Sequence, residues 1–166
     1  MPVVLDADLT AAAGARYAIV VGRFNELITD RLRDGAVATL RAHGVPSDNI
    51  VVAHVPGAWE LPPIARRFAD TGRYDAVIGI GCVIRGSTPH FDFVAGEAAK
   101  GLGQVAASTG VPVAFGVLTT ETIEQAIERA GTKLGNKGGE AAVAAMESVS
   151  MIRAIDALHA SAASVN

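Results

Sequence analysis

The chain has 166 residues, half of them hydrophobic, and its 14 basic and 17 acidic side chains give a net charge of -3. That length fits one domain burying about 70% of its unfolded surface without disulfides or metal, and a single cysteine, Cys82, excludes an internal bridge. Interspersed charge of both signs excludes a nucleic-acid footprint, and the longest apolar run, AVIGIGCVI, is far short of the roughly 20 residues of a membrane helix.

The N-terminal MPVVLDADLT has acidic residues and no basic stretch, so it does not read as a signal peptide. With the unpaired cysteine, this fits a reducing cytoplasm. No Cys/His cluster has zinc-ligand spacing, so no metal is expected. A mean hydropathy of +0.34 offers more apolar surface than a small monomer usually hides, which a homo-oligomer or a large core would absorb.

In chain order, residues 1–14 read as a frayed end, and RYAIVVG (16–22) is a short β-branched strand. Ile28, Leu32, Ala36 and Leu40 then draw one helical stripe, closed by Gly44. NIVVAHVPG reads as a second strand, and WELPPIARRFADTG as a helix with its prolines near the first turn. YDAVIGIGCVI is a third strand, apolar enough to be covered on both faces. Val94, Ala98, Leu102 and Val105 give another helical stripe, and VPVAFGVLT a fourth strand. Helices ETIEQAIERAG and roughly 137–159 follow, separated by TKLGNKGG, before a frayed tail at 160–166. This alternation predicts a single α/β domain, a three-layer sandwich with a four-stranded parallel sheet between helices.

Ligands of such sheets bind beyond the carboxyl ends of the strands. The residues at those ends are GRFNE, PGAWE, IRGSTPH and TTE. Ser87 and Thr88 just before a helix suit either an anion site or an ordinary cap. His90 lies two residues beyond Thr88, beside that potential anion site, and histidine as a class titrates near neutrality. His43, His54 and His159 have structural readings. Phe24 and Trp59 are either core residues or flat faces for a heterocycle. Glu60 is a hydroxyl acceptor or simply first-turn helix charge. Arg129, Lys133 and Lys137 are solvated charge or a phosphate clamp.

The stretches GRFNELIT, VPGAWELP, GCVIRGSTPHFDFV and FGVLTTETIEQAIERAGTKLGNKG, in this order, closely resemble the lumazine synthase family from about residue 15 to residue 158. The resemblance implies a flavodoxin-like strand order and an enzyme, a transferase without cofactor or metal. Its reaction would join 5-amino-6-(D-ribitylamino)uracil to 3,4-dihydroxy-2-butanone 4-phosphate in riboflavin biosynthesis. Matched by position, Phe24 would stack on the pyrimidine, Ala58, Trp59 and Glu60 would line the ribityl chain, and Cys82, Val83 and Ile84 would meet the pyrimidine edge. Ser87 and Thr88 would hold phosphate, and His90 would transfer protons. Phe115 and Arg129 would come from a neighbouring subunit, with Arg129 on the phosphate.

The resemblance further implies pentamers with sites between subunits, a 60-subunit shell, an N-terminal segment pairing with a neighbour, and riboflavin synthase as a partner. Competing classes are a non-catalytic flavin- or nucleotide-binding module, a shell-forming carrier and a receiver-type signalling domain. The last wants clustered acidic residues at strand ends, which are missing here.

Overall fold

Alternation within each strand decides the layers. In the computed structural model, which describes the backbone of residues 1–163 and the side chains of 1–160, Tyr17, Ile19 and Val21 of β1 (Tyr17–Gly22) face one side. Ala18 and Val20 face the other. The third strand, β3 (Ala76–Ile84), repeats the division, with Ile78, Ile80 and Cys82 on the first side and Val77 on the second. A side-chain period of two sends successive residues to opposite faces, so a continuously apolar strand must be covered twice.

On the first side lie α1 (Glu26–Ala42), through the expected stripe of Ile28, Leu32, Ala36 and Leu40, and α5 (Lys137–Ala163). On the second lie α2 (Leu61–Asp70) and α3 (His90–Thr109). Fully buried side chains such as Leu32, Leu40, Ile78 and Ile80 contribute about 2 kcal/mol each through removal from water. Completed by β2 (Ile50–Val55) and β4 (Val113–Thr120), the sheet is parallel in the order β2-β1-β3-β4. This is the expected three-layer α/β sandwich, with the flavodoxin-like order.

Three local features differ from the sequence reading. The helix expected over 121–131 is the shorter α4 (Ile123–Glu128). The connection TKLGNKGG is not a plain loop, because β5 (Ala130–Thr132) and β6 (Gly135–Asn136) pair antiparallel, with Gly131 and Gly135 at φ 95 and 74. Glycine takes that left-handed backbone freely, and strands this short leave no periodic signal. On α3, Val94 is only half-buried, and Ala95 joins Ala98, Leu102 and Val105 among the buried residues.

At the ends of the chain, α5 continues to Ala163, into the stretch read as a tail, and residues 164–166 of that stretch lie outside the described residues. Near the other end, the Asp8 N–H donates to Ser150 Oγ at 2.8 Å and the Ala11 N–H to His43 O at 2.9 Å.

Where α5 crosses α1, Asn136 Oδ1 accepts from the N–H groups of Gly138 and Gly139 at 2.9 and 3.1 Å, while its Nδ2 donates to Arg31 O at 2.9 Å. A Cβ at Gly138 would overlap the Leu32 carbonyl, so this crossing requires glycine.

Candidate active site

The ends of β1, β2 and β3 are bonded to one another. Leaving β1, the Arg23 N–H donates to Val55 O at 2.9 Å and the Phe24 N–H to Pro56 O at 3.0 Å, which ties the chain to the end of β2. Asn25 follows with φ 60, a left-handed backbone that asparagine tolerates better than most residues. Its carbonyl accepts from the N–H groups of Ile28 and Thr29, starting α1, and its Nδ2 donates to the Cys82 carbonyl at 2.9 Å.

Between these ends lies a cavity of about 230 Å³. Of the residues expected at the site, Phe24, Ala58, Cys82, Val83, Ile84 and His90 line it together. Asn25 and Val94 complete the wall. The Phe24 ring lies over Gly57, where a Cβ would come within 2.7 Å of its Cδ2. Phe24 is 72% exposed and Trp59 54%, so neither aromatic is a core residue.

Trp59 and Glu60 sit beside Ala58 on the short 3-10 turn Ala58–Glu60, off the cavity wall. One carboxylate oxygen of Glu60, Oε2, accepts from the Gly57 N–H at 2.9 Å, so that oxygen serves the turn. Ser87 and Thr88 are exposed on the turn before α3, also off the wall. The capping position just before α3 is Pro89, with no side-chain cap bond, so neither hydroxyl acts as the ordinary cap. His90 is the first residue of the helix.

Phe115 and Arg129 are elsewhere in the same chain. They line a second cavity of about 390 Å³ with Thr119, Thr120, Lys137 and Glu140, and it shares no residue with the first. Arg129 Nη1 donates to Gln125 O at 2.9 Å, and Lys137 Nζ pairs with Glu140 Oε2 at 2.7 Å. Lys133 is exposed and does not line this cavity.

Burial pushes the Cys82 thiol up to about 12, so it stays protonated and acts as an apolar wall. His43, with Nδ1 2.8 Å from Thr39 O, terminates α1. Among the described residues, no three His, Cys, Asp or Glu side chains come together as a metal-binding group. Nor, among them, is any helix long and apolar enough to cross a membrane.

Asn25 and Gly57 escaped the sequence reading. The signal for Asn25 was its residue type at a strand-to-helix turn, where a left-handed backbone is common; for Gly57 it was a glycine facing an aromatic across two turns. Arg85 likewise had no assigned role.

A parallel sheet in this order, with a small-ligand cavity beyond its carboxyl edge, defines a flavodoxin-like α/β protein built around a site at that edge. Residues 14–153 match the family described as 6,7-dimethyl-8-ribityllumazine synthase. A protein of Halorhodospira halophila (strain DSM 244 / SL1), named 6,7-dimethyl-8-ribityllumazine synthase, is 55% identical over 154 residues, covering 93% of this chain and 99% of that one. The chain belongs to the 6,7-dimethyl-8-ribityllumazine synthase family, enzymes of riboflavin biosynthesis.

Proposed function

We propose that this protein condenses 5-amino-6-(D-ribitylamino)uracil with 3,4-dihydroxy-2-butanone 4-phosphate. The products are 6,7-dimethyl-8-ribityllumazine, phosphate and water, in the penultimate step of riboflavin biosynthesis. What carries this reading is the meeting of Phe24, Ala58, Cys82, Val83, Ile84 and His90 around one cavity in a chain of this family. A purely flavin-binding or carrier role would need no histidine there.

Phe24 stacks on the pyrimidine, a contact that contributes about 1 kcal/mol beyond burial. Ala58, Trp59 and Glu60 line the ribityl chain, with the Glu60 carboxylate accepting from its hydroxyls. Backbone groups of Cys82, Val83 and Ile84 meet the heterocycle edge; the Cys82 carbonyl already accepts from Asn25, which fixes its direction. Ser87, Thr88 and Arg129 hold the phosphate.

In the reaction, the primary amine attacks the ketone, the carbinolamine loses water to an imine, phosphate is eliminated, and the ribityl-bearing nitrogen attacks the carbonyl this unmasks, closing the ring with loss of a second water. Protons move at nearly every step, and His90 moves them. Holding two substrates in one orientation supplies much of the rate, and the cationic contact of Arg129 stabilises the departing phosphate. No cofactor or metal enters these steps.

In this reading Phe115 and Arg129 come from a neighbouring subunit. Their absence from the wall of the first cavity supports that, since the two cavities share no residue and Phe115 is 46% exposed on the edge strand β4. The chain is one domain that assembles into pentamers and then a 60-subunit shell in the cytoplasm, with riboflavin synthase as its partner. The N-terminal segment, whose Val3 and Val4 are exposed, pairs with the open edge of a neighbour's β2.

The test is a two-substrate assay following lumazine absorbance and phosphate release together, each substrate omitted in turn. Equal amounts of both products, only when both substrates are present, are expected. Neither product above the uncatalysed background would reject the reaction.

A further inference from the structure

Arg85 opens the turn that leads to His90, and several contacts meet at its guanidinium. Nε donates to Glu121 Oε2 at 2.8 Å, while Nη1 and Nη2 donate to Asp92 Oδ2 and Oδ1 at 3.2 and 3.1 Å. The group also lies 4.2 Å from the centroid of the Phe91 ring. Its backbone N–H donates to Thr120 O at 2.9 Å. One residue therefore joins the end of β3, the first turn of α3 and the turn after β4. Residues 86–89 form a loop closed between Arg85 and Asp92, and His90 lies inside that closure.

From this geometry we infer that Arg85 is a positioning residue, whose clasp on Asp92, Glu121 and the Phe91 ring holds the 86–89 turn and His90 in place at the cavity. The inference rests on the proposed reaction and deepens it. One positive charge here faces two carboxylates, so the guanidinium is already compensated and is poorly placed to attract a phosphate. That separates its role from the one proposed for Arg129. The clasp needs a planar fork that engages one carboxylate with two N–H groups, reaches a second with Nε and lays its face on a ring. Lysine, a point charge, cannot reproduce it. Exposed ion pairs contribute little to global stability, so the effect falls on local geometry.

The experiment compares R85Q, R85K, D92N and the R85Q/D92N double variant with the unmodified protein, all as assembled oligomers. R85Q and D92N are each expected to lower kcat about tenfold, since small displacements of a reacting group are costly. They should raise KM for the phosphate sugar and leave KM for the pyrimidine unchanged. The double variant should be no worse than R85Q, and R85K should restore less than half of the lost kcat. Additive losses in the double variant would overturn the clasp. So would an R85Q effect confined to the phosphate sugar's KM with D92N silent, which would make Arg85 a phosphate ligand.

Amide hydrogen exchange in peptides covering residues 84–93 gives a readout that needs no substrate. Exchange should quicken there in R85Q and D92N and stay unchanged elsewhere in the chain. Unchanged exchange at 84–93 overturns the clasp, whereas absence of turnover in the unmodified protein overturns the reaction.

Discussion

The side-chain amide of Asn25 donates to the carbonyl of Cys82 at 2.9 Å, from a backbone held at φ 60. Two separate costs should follow from replacing it. Loss of the hydrogen bond removes about 1 kcal/mol, and a side chain ill-suited to the left-handed region adds about 1 kcal/mol. N25G loses only the first contribution, apart from the added freedom of its unfolded chain, whereas N25A loses both. Urea unfolding should rank the unmodified protein above N25G and N25G above N25A. An N25A protein as stable as N25G would show that the backbone conformation there is not strained.

Gly57 sets the attitude of the Phe24 ring. A Cβ at this position would stand 2.7 Å from Phe24 Cδ2, so G57A must push the ring off its seat. If the ring stacks on the pyrimidine, the variant should raise KM for the pyrimidine about tenfold, the scale of a lost aromatic contact. KM for the phosphate sugar should hardly move. A change in both constants, or in neither, would remove Phe24 from the pyrimidine.

The sheet was legible because its strands are apolar at nearly every position, as in β3, and because the α1 stripe repeats every four residues. The cavity was legible because a parallel sheet confines its ligands to one edge, where Phe24 and His90 both occur. Three things were not. The β5–β6 pair is too short for a period, and the left-handed Asn25 looks like any turn residue in one sequence. The clasp of Arg85 joins residues 7 and 36 positions away, and no local pattern encodes such a contact.

His90 lines the first cavity and Arg129 the second, which makes subunit exchange informative. H90A should lower kcat about a hundredfold with little change in either KM, as for loss of a proton-transfer group. R129A should mainly raise KM for the phosphate sugar. Assayed with the phosphate sugar well below the KM of R129A, where each variant alone has little activity, oligomers reassembled from equal amounts of the two should recover about a quarter of the normal activity if each site draws on two subunits, because random pairing leaves that share intact. No recovery would put both residues in one subunit's site.

Cys82 makes a pH-dependent prediction. Burial raises its thiol from 9.0 to about 12, so the folded protein holds the proton that the unfolded chain releases from about pH 9 upward. Where the folded state binds more protons, stability falls as pH rises. The stability this group contributes is therefore fully present below about pH 9 and is lost progressively toward about pH 12. Tyr17 is also raised, first by burial and then by the charge of Asp75, but it is common to any pair of variants that differ only at position 82. The stability of the unmodified protein minus that of C82A should be constant below pH 9 and shrink above it. At pH 8 the folded thiol should also react with iodoacetamide about a thousandfold more slowly than in urea, in proportion to its thiolate fraction. A difference that stays flat through pH 11, or alkylation as fast in the folded protein as in urea, would mean that the Cys82 thiol is open to water at the cavity wall.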